Sequence, residues 1–203
     1  MKLVRPVLAA ALGVSLAVAG AAGAATPRLP ACATFSDPTG DTALEGAIPV
    51  ADASVDITGV KLGYAKKTFA AGVTVAKYAA ASTYSDGVRF DVNFTAPDGK
   101  VVTLFGQHSR TEAVSSQAFA FSGIKVDGTY VSGSNKAVAV STTGNTFTMT
   151  VGLADVEAAL GGDKVAGKSV SNINAISWGG YEVVSLGYDN AAGTKPFKVL
   201  DCA

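Results

Sequence analysis

Between Val88 and Phe94 apolar and polar residues alternate without a break, with Val88, Phe90, Val92 and Phe94 on one parity and Arg89, Asp91 and Asn93 on the other. A period of two suits a half-buried strand, because successive side chains leave a pleated strand on opposite faces. The run "KVVTLFGQH" follows across "APDG", so residues 88–95 and 100–108 are expected to form a hairpin. "TFTMTVGL" alternates in the same way, setting Phe147, Met149, Val151 and Leu153 against threonines. "KAVAVS" precedes it across "TTGN", which predicts a second hairpin. Asp-Gly pairs at 86–87, 98–99 and 127–128 supply the positive φ that tight hairpin turns need.

Further strands are expected in "SVDITGVKLGY", with Gly59 marking a bulge, and in "TFAAGVTVAKY", "QAFAFSGIKV", "SVSNINAISW" and "FKVLDC". One helix is expected near 153–160: Leu153, Val156 and Leu160 share a face, acids occupy its first turn, and Gly161 can end it. Many short strands, frequent turns and little helix predict an all-β fold, a single jelly-roll-like or immunoglobulin-like β-sandwich.

The N-terminus departs from this pattern. Lys2 and Arg5 precede an uncharged Ala, Leu, Val and Gly run from Val7 to Ala22, which ends in the small-residue stretch "AAGAAT". These are the parts of a secretory signal peptide, expected to cover residues 1–25 with cleavage after Ala24 or Ala25. Residues 26–203 then form one domain in a secreted, extracellular or cell-surface protein. Removing Lys2 and Arg5 from the 16 basic residues leaves 14 against 16 acidic ones, a net charge of −2. Such a balance lacks the basic stripe of a nucleic-acid binder. No later segment is long and apolar enough to span a membrane as a helix. "LPAC" at 29–32 faintly resembles a lipoprotein acylation box, but a lipid on Cys32 would leave Cys202 alone. In an oxidising compartment Cys32 and Cys202 are instead expected to pair, closing nearly the whole domain in a loop worth up to about 5 kcal/mol.

Catalytic signatures are scarce. The single histidine, His108, cannot build a multi-histidine metal site, and neither H-E-x-x-H nor G-x-S-x-G occurs. "SGIK", Ser122 to Lys125, matches S-x-x-K but falls in a strand rather than at a helix start. Asp91 projects from its strand and could serve as one carboxylate of a glycosidase pair, yet nothing in the spacing identifies the other. The expectation is a protein that is not an enzyme.

Two other features carry chemistry. From Phe35 to Val60 the chain holds Asp37, Asp41, Glu45, Asp52 and Asp56, with no lysine or arginine between Arg28 and Lys61. "DPTG" has the composition of a type I turn, which accounts for Asp37, Pro38 and Gly40 but not for Asp41, Asp52 and Asp56. Calcium takes about six to eight hard oxygen ligands, and carboxylates clustered without a cation repel one another. Turn chemistry and a calcium site therefore both stand as readings of this stretch. The second feature is "SWGGYEVVSLGYDN", which groups Trp178, Tyr181 and Tyr188, with Tyr84 in another loop segment. Flat aromatic faces beside polar groups suit sugar rings, and the two glycines after Trp178 suggest an exposed turn.

"DPTGD", then "VDITGVKL" and "TFAAGVTVA", resembles the opening of secreted bacterial DOMON-like β-sandwich modules. These are similar to the carbohydrate-binding modules appended to glycoside hydrolases. "FTMTVGLADVEAALGG…SVSNINAIS" is similar to their later strand, helix and strand, and the likeness covers most of 33–190 in outline. The resemblance implies a jelly-roll-like sandwich that binds a sugar, haem or no known ligand, and makes Asp37, Asp41 and Asp56 the better ion candidates, with Asp52 behind them. Haem would call for axial Met and His ligands, whereas Met149 sits on core parity and His108 is alone. The functional expectation is a non-catalytic extracellular binding module for a glycan or cell-surface partner, stabilised by calcium. The alternative is a structural or adhesive β-domain without a small-molecule site.

Overall fold

The computed structural model describes residues 33–44, 48–49, 52–79, 87–109, 119–181 and 184–200; for residues 44, 48–49, 109, 119–121, 136, 180–181 and 184–188 it describes the backbone alone. In chain order the elements are β1 (Ala33–Ser36), β2 (Ala43–Leu44), β3 (Ile48–Pro49), β4 (Ile57–Ala65), β5 (Thr68–Val75), β6 (Gly87–Thr95) and β7 (Val101–Ser109). There follow β8 (Phe119–Val126), β9 (Thr129–Tyr130), a 3-10 turn (Ser134–Lys136), β10 (Ala139–Thr143), β11 (Thr146–Gly152), α1 (Leu153–Ala159), β12 (Ser169–Tyr181), β13 (Val184–Ala192) and β14 (Phe197–Lys198).

The strands form an all-β sandwich. One sheet has five strands in the order β1-β4-β5-β11-β10. The other has nine, in the order β3-β2-β13-β12-β6-β7-β8-β9, with β14 also paired to β12. Alternation decides what lies between the sheets. Val88, Phe90, Val92 and Phe94 of β6 are buried in the core, where they meet Phe147, Met149 and Val151 of β11. The β6–β7 hairpin pairs Thr95 with Val101 and Val88 with His108. Its turn closes through Ala96 N–H to Lys100 O at 2.8 Å, with Gly99 at φ +89°. The β10–β11 hairpin turns through Gly144 at φ +57°. Beside Gly59 the register of β4 against β5 slips, which is the expected bulge.

Other expected boundaries move. β4 begins at Ile57 rather than Ser54, because residues 53–55 are taken up by a turn. Of "FKVLDC", only Phe197–Lys198 is strand among the described residues. After Trp178 the two glycines do not form an exposed turn: they lie within β12, whose pairing with β13 continues through Gly179 and Gly180 to Tyr181, and the register shift there absorbs the irregularity. α1 buries Leu153 and Val156, with Leu160 just past its end and Gly161 at φ +81° closing it. Glu157 of this helix is buried for a structural reason. Its carboxylate accepts the Lys164 ammonium at 2.8 Å and the Val165 N–H at 3.1 Å, and these partners, Lys164 foremost, hold it below the ordinary carboxylate range. No helix among the described residues is long and apolar enough to cross a membrane.

Candidate functional site: an acidic crossover between the sheets

Residues 37–42 carry the chain from one sheet to the other. β1 ends at Ser36, paired with Gly59 of β4, and the Asp37 N–H still donates to Thr58 O at 3.3 Å. The chain then bends at Thr39 and Gly40, and Gly40 takes φ +85°, a conformation open to glycine. By Ala43 it has joined the nine-stranded sheet, opposite Tyr188 of β13. Asp56, at the mouth of β4, fastens the bend: both its carboxylate oxygens accept the Gly40 N–H at 3.0 Å.

Asp189 of β13 approaches from the opposite sheet. It holds a core-facing parity and is 5% exposed. Its Oδ2 accepts the Ile57 N–H of β4 at 2.7 Å, and its Oδ1 accepts the Asn190 N–H at 2.7 Å. Its own N–H donates to Ser177 Oγ at 3.1 Å, and the Ser177 hydroxyl donates to Val55 O. One carboxylate of the large sheet is thus wired to the first residue of β4 in the small one.

Asp37, Asp41 and Asp189 bring carboxylate oxygens within 4.8 Å of one another. Among the described residues none of these aspartates, nor Asp56, has an ion pair with a lysine or arginine. Asp37 Oδ2 is buried and has no hydrogen-bond partner there. Burial first, then the charges of Asp189, Asp41 and Asp56, push the Asp37 carboxyl up to about 6. Burial also raises Asp56, against the Gly40 N–H that lowers it, with Asp41 adding to the rise. Asp189 is raised for the same leading reason, opposed by the Ile57 and Asn190 N–H groups. A buried, unpaired carboxylate oxygen facing two further carboxylates is costly as it stands. Hard oxygen donors of this kind fit calcium, whose charge would remove both the repulsion and the orphaned acceptor.

The remaining candidates lie elsewhere. Asp52 is buried outside this group: its Oδ1 accepts the Ser54 N–H at 3.0 Å and the Ser54 hydroxyl at 2.6 Å, closing the turn that leads into β4. Trp178 lies within β12, half-buried on the outer face of the large sheet, opposite Arg89 and Tyr188. The backbones of Tyr181 and Tyr188 fall at the end of β12 and in β13, while Tyr84, Cys32 and Cys202 lie outside the described residues. His108 shares a hydrogen bond of 2.5 Å with the Tyr78 hydroxyl. Burial lowers His108 and pushes Tyr78 up to about 12, so the pair is neutral and structural at neutral pH. Ser122 of the S-x-x-K match donates inward to Val138 O at 2.6 Å, whereas Lys125 lies over the Phe105 ring, so the two do not form a nucleophile and base. Asp91 is held by Arg89. Asp189 was not among the candidates from sequence; its signal is an acid on core parity in a strand.

Comparison with family models, with curated proteins and with solved structures returns no match. The fold and the site define an antiparallel two-sheet β-sandwich with an acidic crossover at the sheet edge.

The raised Asp37 carboxyl has a signed consequence. A group whose folded pKa lies above its unfolded value contributes stability that is complete below the unfolded value and is lost as pH rises through the folded one. For Asp37 that window runs from 3.8 to about 6. His108 acts in the opposite sense, because its lowered pKa removes stability as pH falls. Wild type and Asp37→Asn should therefore be compared in chelator across this range. The variant should gain stability relative to wild type as pH rises, and a constant difference would contradict the raised carboxyl.

Proposed function

We propose that the chain is a secreted, non-catalytic extracellular binding module for carbohydrate. A calcium ion held by Asp37, Asp41 and Asp189 ties its two sheets together, and Asp56 sets the bend that presents the first two. The observation that carries the calcium reading is the buried, unpartnered Asp37 oxygen within a convergent carboxylate group. When bound, the ion neutralises the repulsion. The residues do the positioning: Asp56 anchors Gly40, and Asp189 is held by two backbone N–H groups. The carbohydrate reading is supported by the resemblance and by Trp178, half-buried on the outer sheet face beside Arg89.

Calorimetric titration of calcium into protein stripped with chelator tests the ion. One site per chain is expected, weakened by about tenfold or more in Asp37→Asn, about 1.4 kcal/mol. Asp52→Asn should leave calcium affinity unchanged, since Asp52 serves its own turn. Absence of binding, or equal affinity in Asp37→Asn, would remove calcium from the proposal. A glycan array on the same protein tests the carbohydrate half, and a blank array would favour the structural or adhesive alternative.

A further inference from the structure

The outer face of the nine-stranded sheet is furnished unlike an ordinary solvated face. Its rows follow from register. Trp178, Arg89 and Gln107 lie side by side across β12, β6 and β7. Ile176, Asp91, Phe105 and Gly123 form the next row, and Asn174, Asn93, Thr103 and Lys125 the one after. The chain's one tryptophan is here. Phe105 is 1% exposed although it lies outside the core between the sheets. It is covered by the Arg89 guanidinium at 4.6 Å from its ring centroid, by the Lys125 ammonium at 5.6 Å, and by the Tyr130 ring at 6.0 Å. Gly123 beneath them is a requirement: a Cβ there would stand 2.8 Å from both the Phe105 and the Tyr130 rings.

Arg89 is held in two ways. It stacks on Phe105, and it forms a bidentate pair with Asp91 through Nε at 2.6 Å and Nη2 at 2.8 Å. That pair uses one edge of the guanidinium, and Nη1 has no hydrogen bond among the described residues. Preorganised arginine of this kind recognises carboxylates with little further ordering cost. Arg89 and Lys125 bring two positive charges to the face, Asp91 brings one negative charge, and Lys125 makes no ion pair among the described residues. Side-chain amides and a hydroxyl flank them at strand spacing, with Asn93 accepting from Thr103 at 2.6 Å and Asn174 facing Asn190 at 3.4 Å.

We infer that this face binds an acidic saccharide chain, with a uronate carboxylate on the free edge of Arg89, sugar planes against Trp178, and amides meeting the hydroxyls. The inference rests on the carbohydrate reading above and names the sugar class. The surplus positive charge selects the acid. The flat rows of aromatic and amide groups select a sugar polymer over a bare anion.

The test titrates a β-1,4-linked oligoglucuronate, the cello-oligosaccharide of the same length, and monomeric glucuronate into calcium-loaded protein. Tryptophan fluorescence reports from the face itself. The oligoglucuronate should bind at least about tenfold more tightly than the neutral chain and the monomer, and high salt should weaken it. Arg89→Ala should abolish that preference. Arg89→Lys, which keeps the charge but not the bidentate fork, should reduce it, with a thermal melt confirming that the variant is folded. Equal binding of the neutral chain would overturn the acidic preference and leave the carbohydrate reading standing. Equal binding of the monomer would reduce the face to an anion site and overturn the inference. Binding that survives Arg89→Ala, or no binding of the oligoglucuronate, would also overturn it.

Discussion

Replacing Phe147 by alanine is expected to cost about 3–5 kcal/mol, the usual range for a buried phenylalanine. Phe147 belongs to the small sheet but fills space made by the large one. Its ring lies 5.0 Å from Phe90 and 6.4 Å from Tyr78. It also occupies the place above Gly106 of β7, where a Cβ would come within 2.7 Å of the ring. Natural domains hold about 5–15 kcal/mol in all, so this loss should bring the protein near the edge of folding. Urea denaturation would read it as a lower midpoint at unchanged slope. The same geometry couples the two positions. Gly106→Ala should cost about 1–3 kcal/mol by overpacking in wild type, and less beside Phe147→Ala, which removes the ring and leaves Val140 Cγ1, 2.8 Å from the same position, as the remaining close contact. Additive costs would show that Phe147 does not fill the Gly106 gap.

The second large effect is the ion. A ligand that binds only the folded state stabilises it by RT ln(1 + [L]/Kd), about 2.7 kcal/mol at a hundredfold excess. Calcium should raise the melting temperature accordingly. Magnesium should do less, because it demands a smaller and stricter octahedron. Two of the three aspartates reach the site from the crossover after β1, and Asp189 comes from β13. The ion would therefore join segments of both sheets, beside the bonds from Asp189 to Ile57 N–H and from Ser177 to Val55 O.

Local patterns made the strands and hairpins legible. Val88 to Phe94, and Phe147 to Val151, declare their faces through period-two alternation, and the Asp-Gly pairs at 98–99 and 127–128 and "TTGN" mark turns, whereas Gly87 lies within β6. Gly99 and Gly128 take the positive φ that the turns require. Sheet order was not legible, because β5 pairs β11 and β6 pairs β12 across long stretches of chain. Asp37, Asp41 and Asp56 stood out because they crowd a stretch without lysine. Asp189 did not, since its bond to Ile57 spans 132 residues and its one local signal is an acid on core parity in a strand. Asp52 misled for a physical reason: a carboxylate two residues before a serine N–H can close a turn as readily as it can ligate a metal. The glycines after Trp178 misled because a register shift lets a strand carry them.

The central claim is that the crossover aspartates repel one another until a cation joins them. It is tested most directly by thermal melts of wild type and Asp37→Asn near neutral pH, each in calcium and in chelator. In chelator the variant should melt at or above wild type, because it removes the charge of a half-buried carboxylate that burial and its neighbours disfavour. In calcium wild type should melt higher, because it retains the ligand. An inversion of rank between the two conditions is the predicted result. Melts of wild type that coincide in calcium and chelator would contradict the account and return residues 37–41 to turn chemistry.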